Sequence, residues 1–147
     1  MIHVAILGAG IGREHLAGFR ALKDRFTVRA IVDQDIERIE GIRQEGDNFS
    51  ALSDIDEALA DPQVHVIDIC LPPNLHATVT QRALAAGKHV ICEKPLATSL
   101  ADVDEIRRAA LSAGRKVYPV FQYRWGPSLA QLRHLMACGL TGQLQVA

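Results

Sequence analysis

Apolar residues fall along this chain in two alternating periods. Short runs at 2–7, 28–32, 64–71, 89–92 and 116–123 are apolar almost throughout. Between them lie stretches whose apolar positions recur at three- and four-residue spacing. Continuous runs are the signature of strands buried on both faces, and the longer period is that of amphipathic helices. The pattern predicts a first strand over Ile2–Leu7 and a helix over Ile11–Lys23 with Leu16, Phe19 and Leu22 on one stripe. A second strand, Val28–Val32, follows, then a helix carrying Ile36, Ile39 and Ile42 that Gly46 terminates.

Asn48–Leu52 is predicted as a short edge strand, Asp54–Ala60 as a short helix, and Val64–Leu71 as a central strand ended by Pro72-Pro73. Asn74 is placed to cap a helix that runs to Ala86. His89–Cys92 is another strand. Ser99 and Asp102 form a capping-box pattern ahead of a helix that buries Val103, Ile106 and Ala110 and stops at Gly114. Lys116–Tyr123 supplies a sixth strand, and Pro127–Cys138 a helix with proline at its first position. Gly142–Ala147 starts a further alternation, so residues 1–123 are read as one domain and 124–147 as a junction leading into a second.

Chemistry enters at the ends of the strands. Gly8, Gly10, Ile11 and Gly12 sit between the first strand and its helix. A glycine turn there lets backbone amides and a helix N-terminus meet a diphosphate, because no Cβ holds the ligand away. Asp33 closes the second strand about twenty residues further on, where a carboxylate accepts both hydrogen bonds of an adenosine ribose diol. The order strand, glycine turn, helix, strand, acid predicts an α/β fold of Rossmann type: a doubly wound parallel sheet with helices on both faces. The same carboxylate repels a 2′-phosphate, and Arg38 lies a full turn away, so NAD is expected over NADP.

Two further clusters fall at the ends of the third and fourth long runs. Leu71, Pro72, Asn74 and His76 follow the strand expected beside the first, at the crevice where ligands of open α/β sheets collect, and His76 is placed to face the nicotinamide. Glu93-Lys94-Pro95 ends the next strand, where the Lys94 charge would stabilise a hydroxyl losing its proton during hydride transfer. Glu93 would orient it, and Pro95 is a candidate cis residue.

Composition narrows the class. The 147 residues carry a net charge of −1 with interspersed signs, which gives no electrostatic case for nucleic acid or an anionic membrane. No apolar stretch is long enough to span a bilayer, and Met1 leads straight into a strand without a leader pattern, which predicts a cytoplasmic protein. The three cysteines, Cys70, Cys92 and Cys138, lie far apart and suit neither a disulfide framework nor a metal site.

Taken together, GAGIGREH, the Asp33 strand end, PPNLHA, AAGKHV and ICEKPLA resemble the Gfo/Idh/MocA oxidoreductases, and QYRWGP with GLTG is similar to that family's stretch between its two domains. The resemblance covers essentially the whole chain. The glycine loop is one residue shorter than the commoner family form, and Leu71 stands where the family frequently has Thr. The resemblance implies an NAD(P)-dependent dehydrogenase of a sugar or polyol, with Lys94 at the catalytic centre and Pro95 in a cis bond. It further implies a second domain that supplies an acid or base and the homo-oligomer interface, so this part alone would be inactive. A non-catalytic NAD-binding sensor on the same scaffold is the alternative, and Lys94 and His76 argue against it.

Overall fold

The computed structural model describes residues 1–143. Six strands form one parallel sheet: β1 (Ile2–Leu7), β2 (Phe26–Val32), β3 (Ser50–Leu52), β4 (Val66–Ile69), β5 (His89–Cys92) and β6 (Val117–Pro119). Their spatial order is β3-β2-β1-β4-β5-β6, so the winding direction reverses between β1 and β4. That is the order of a dinucleotide-binding sheet, and its crevice opens at the carboxyl ends of β1 and β4.

Alternation along the strands sorts the helices. Val4 and Ile6 face α1 (Ala9–Ala21) and α2 (Ile36–Ile42), where they pack with Leu16 and Ile39. Ala5 and Leu7 face the opposite layer of α3 (Ile55–Ala60), α4 (Pro73–Ala85) and α5 (Leu100–Ala113). On β4 the same alternation gives Ile67 and Ile69 to the α4 layer, and turns Val66 and Cys70, with Asp68 between them in register, toward α1. The doubly wound fold expected from the periodicity is therefore present, with a core on each face of the sheet.

Several local expectations shift. α1 begins at Ala9, because Gly8 (φ 97°) turns the chain in one residue and serves as N-cap. Asn74 does not cap α4: Pro72 holds that position, Pro73 opens the helix, and Asn74 lies within its first turn. The fixed φ of proline suits the first helical position, and this moves the helix start back. The sixth strand stops at Pro119, and Gln122–Trp125 forms a 3-10 turn. Val103 is 36% exposed, so the buried stripe of α5 rests on Ile106. Asp35 caps α2, Asp54 caps α3, and Ser99 caps α5 by accepting the Asp102 amide. α6 (Pro127–Ala137) follows the 3-10 turn and has no buried residue. The alternation expected over Gly142–Ala147 falls largely outside the described residues.

Candidate functional site

The glycine turn is shaped by contacts on one side and openness on the other. A Cβ on Gly8 would meet the carbonyl oxygen of Cys70 at 2.5 Å, and one on Gly12 would meet Ile6 Cγ2 at 2.8 Å. Both glycines are needed so that α1 can sit against β1 and β4. A Cβ on Gly10 would meet nothing within 4 Å, and this residue is exposed. Gly8 brings no side-chain cap, which leaves first-turn amides at Gly10 and Ile11 for an acceptor from elsewhere. The Gly10 and Ile11 amides at this helix N-terminus, bordered by open space, fit a diphosphate.

Asp33 closes one side of this opening. Its Oδ2 accepts the Ala9 amide at 2.9 Å and its Oδ1 accepts the Asp35 amide at 3.0 Å. Partial burial works against the charged form, but these amides and the Arg38 guanidinium hold the carboxyl below the usual carboxylate range. Arg38 does not stay a turn away, as its position in the sequence implied. It folds back and places Nη1 3.3 Å from both carboxylate oxygens. Gly8, Gly10, Asp33, Arg38, Leu71 and Pro72 line a cavity of about 530 Å³, a size common for cofactor clefts. The residues present therefore fit a dinucleotide.

Glu93 and Lys94 lie at the end of β5. The Lys94 side chain is exposed, its amide donates to Glu93 Oε2 at 3.0 Å, and the Lys94–Pro95 bond is cis. His76 does not present its ring to the crevice. Its ring is buried, with Nε2 2.7 Å from the Leu71 carbonyl and Nδ1 2.6 Å from the Pro95 carbonyl. It ties the turn after β4 to the turn after β5, and neither ring nitrogen is free for a ligand. Asn74 is exposed on the first turn of α4. Arg13 is exposed and pairs with Glu14. Trp125 is exposed, and the arginine over its ring is Arg133, not its neighbour Arg124.

One cluster escaped the sequence reading. His15, one turn into α1, lies between two carboxylates: Nδ1 is 2.9 Å from Asp68 Oδ2, and Nε2 is 3.3 Å from Glu93 Oε1. Asp68 is fully buried and Glu93 nearly so. The hydrogen bond to Asp68 raises the His15 pKa above its ordinary value, against the effect of burial, and Glu93 adds to it. Burial raises the Asp68 carboxyl. The Cys70 thiol is 3.4 Å from His15 Nδ1, and burial beside two carboxylates keeps it protonated. Donor atoms of His15, Asp68 and Cys70 lie within 4.8 Å of one another. The ring between two carboxylates, with a neutral thiol beside it, forms a proton-sharing cluster. The sequence signal was Asp68 itself, an acid inside a continuous apolar run that needs a buried partner.

Residues 2–121 match the oxidoreductase family with an NAD-binding Rossmann fold, Gfo/Idh/MocA. The chain belongs to this family. It is 32% identical over 148 residues to the inositol 2-dehydrogenase of Rhodococcus jostii, covering 99% of this chain and 40% of that protein. An NAD-binding oxidoreductase from Klebsiella pneumoniae has a similar structure, with TM-score 0.82 and 31% identity over 94% of this chain and 39% of that one. A 3-ketoreductase from Actinomadura kijaniata, solved with TDP-benzene and NADP, has TM-score 0.86 and 26% identity over 97% of this chain and 46% of that one. The chain spans about two-fifths of the length of the curated relatives it matches. It is an NAD(P)-binding domain of an oxidoreductase family, and among the described residues no helix is long and apolar enough to cross a membrane.

Proposed function

We propose that this chain is the cofactor-binding part of a cytoplasmic dehydrogenase that moves hydride between a nicotinamide and a secondary alcohol carbon of a sugar or polyol. The observation that carries the reading is the meeting of three elements at the carboxyl edge around the β1/β4 reversal. These are a glycine turn with open first-turn amides, the acid Asp33 and the Glu93-Lys94 turn. The bound dinucleotide supplies the hydride acceptor or donor. The first-turn amides at Gly10 and Ile11 hold the diphosphate, and Asp33 accepts the ribose hydroxyls. Leu71 and Pro72 wall the crevice, and His76 holds their turn against the Pro95 turn.

The exposed Lys94 ammonium stabilises negative charge on the substrate oxygen as its proton leaves. The base that takes that proton comes from outside these residues, in the second domain entered through the junction at 124–147, which also carries the homo-oligomer contact. NAD is preferred, because Asp33 presents its carboxylate where a 2′-phosphate would lie. Arg38 weakens that preference by offering a cation to the same phosphate.

Calorimetric titration of the whole protein with NAD and NADP, with Asp33→Ala beside it, tests the cofactor assignment. NAD is expected to bind more tightly, and the variant to lose the difference. With a polyol panel that includes inositol, Lys94→Ala is expected to lower kcat by about a hundredfold or more. Unchanged turnover in that variant would remove Lys94 from the reaction.

A further inference from the structure

His15, Asp68 and Glu93 belong to three different elements, and each is fixed differently. Asp68 lies inside β4, hydrogen-bonded between β1 and β5, and cannot shift without opening the sheet. His15 is carried by the helix that the glycine turn starts. Glu93 comes just after the last residue of β5, and its second oxygen accepts the Lys94 amide. A line of side-chain bonds therefore runs from the glycine-turn helix to the backbone of Lys94. Both nitrogens of His15 face carboxylate oxygens. A neutral imidazole donates only one hydrogen bond, so with both carboxylates ionised the two contacts are satisfied together by the imidazolium.

We propose that His15 is a positioning residue whose imidazolium ties the Glu93-Lys94 turn to the glycine-turn helix, so that placement of Lys94 and binding of the nicotinamide half of the cofactor depend on its proton. The inference rests on the dinucleotide reading above. When the ring loses that proton, one carboxylate loses its donor from His15, and two buried carboxylates flank a neutral ring. Asp68 is held by the sheet, so Glu93 and the Lys94 turn move. The charged groups that bear on the ring are Asp68 from β4 and Glu93 from the end of β5. Neighbouring thiols are neutral: Cys70 is held protonated by burial, and Cys92 on β5 is pushed up to about 12. On its own helix, Arg13 and Glu14 are exposed and pair with each other. The two carboxylates act on the ring in the same sense, raising the His15 pKa against the effect of burial.

Two measurements test this. The first compares dissociation constants of NADH and ADP-ribose between pH 6 and 9 in the wild type and in His15→Gln. ADP-ribose lacks the nicotinamide. Wild-type affinity for NADH is expected to fall on the order of fivefold as His15 deprotonates, while ADP-ribose stays level. His15→Gln, which keeps a donor but no titrating proton, is expected to be level for both. The same NADH profile in wild type and variant would overturn the proposal. The second follows the Lys94 amide and the His15 ring by NMR in the ligand-free wild type across the same range. The amide is expected to move with the ring. An amide that ignores the ring overturns the coupling, whatever the dinucleotides do. If the amide follows the ring but neither NADH nor ADP-ribose binds, the coupling stands and the dinucleotide reading falls.

Discussion

The two ends of the sheet find partners for their ionisable side chains in different ways, with Lys88 buried at one and Asp68 and Glu93 buried at the other. At the amino edge the partners are backbone. Lys88 donates to the carbonyls of Asp61 and Val64 at 2.6 and 2.8 Å, the His3 amide donates to His65 Nδ1, and the Lys116 amide donates to His89 Nδ1. Each replaces a main-chain bond that a strand start would otherwise lack. At the carboxyl edge His76 and Asp33 also meet backbone, but His15 meets other side chains, Asp68 and Glu93, and the Gly10 and Ile11 amides nearby have no side-chain cap. One edge is closed chemistry that holds the fold. The other keeps donors and protons in reserve, and that is the edge of the proposed cofactor site.

The largest expected effect lies at the carboxyl edge. Gly8→Ala puts a Cβ at 2.5 Å from the Cys70 carbonyl and forces an L residue to φ 97°. It should destabilise the fold by about 3 kcal/mol, read as a lower urea midpoint. Gly10→Ala is the control, since its Cβ meets nothing within 4 Å. It should leave the midpoint within about 0.5 kcal/mol and weaken dinucleotide binding instead. Equal losses of stability in both variants would mean that Gly10 serves the fold as well.

The amino edge comes next. Lys88→Ala removes two charge-assisted bonds, to the Val64 carbonyl and to the Asp61 carbonyl, which keeps the Val64 amide as donor; the loss should cost about 2 kcal/mol. Dinucleotide affinity of the folded variant should not change. A change would break the division of labour between the two edges.

That division was only half legible in the sequence. Strand and helix periods are local properties, so the sheet, its helices, the glycine turn and the cap at Ser99 could be read from spacing. Contacts made by folding back could not. Arg38 reaches Asp33 because α2 turns toward the end of β2, and linear spacing held them a turn apart. His76 looked like a cofactor contact because it follows a proline turn at the crevice, yet two carbonyls claim its ring. His15 reads as an ordinary exposed position of an amphipathic helix. Its partners are 53 and 78 residues away, so only the buried acid at Asp68 hinted that a counter-group was required.

The smallest effects separate the two edges by pH. Burial lowers the folded pKa of His89 at the amino edge, with help from Arg115 and Lys116. The unfolded chain then binds that proton more firmly, so stability rises with pH until His89 is neutral in both states, near 6.5. His15 has the opposite sign. Its folded pKa is raised, so its contribution is complete below 6.5 and is lost as pH rises through the folded value. Asp68, also raised, adds a loss in the same direction. Urea midpoints measured from pH 5 to 9 should therefore rise and then fall. His89→Gln should flatten the acid limb alone, and His15→Gln should flatten the alkaline limb. If His15→Gln left the alkaline limb unchanged, the proton held at the carboxyl edge would belong to Asp68, and the contrast between the edges would rest on that carboxyl instead of the histidine.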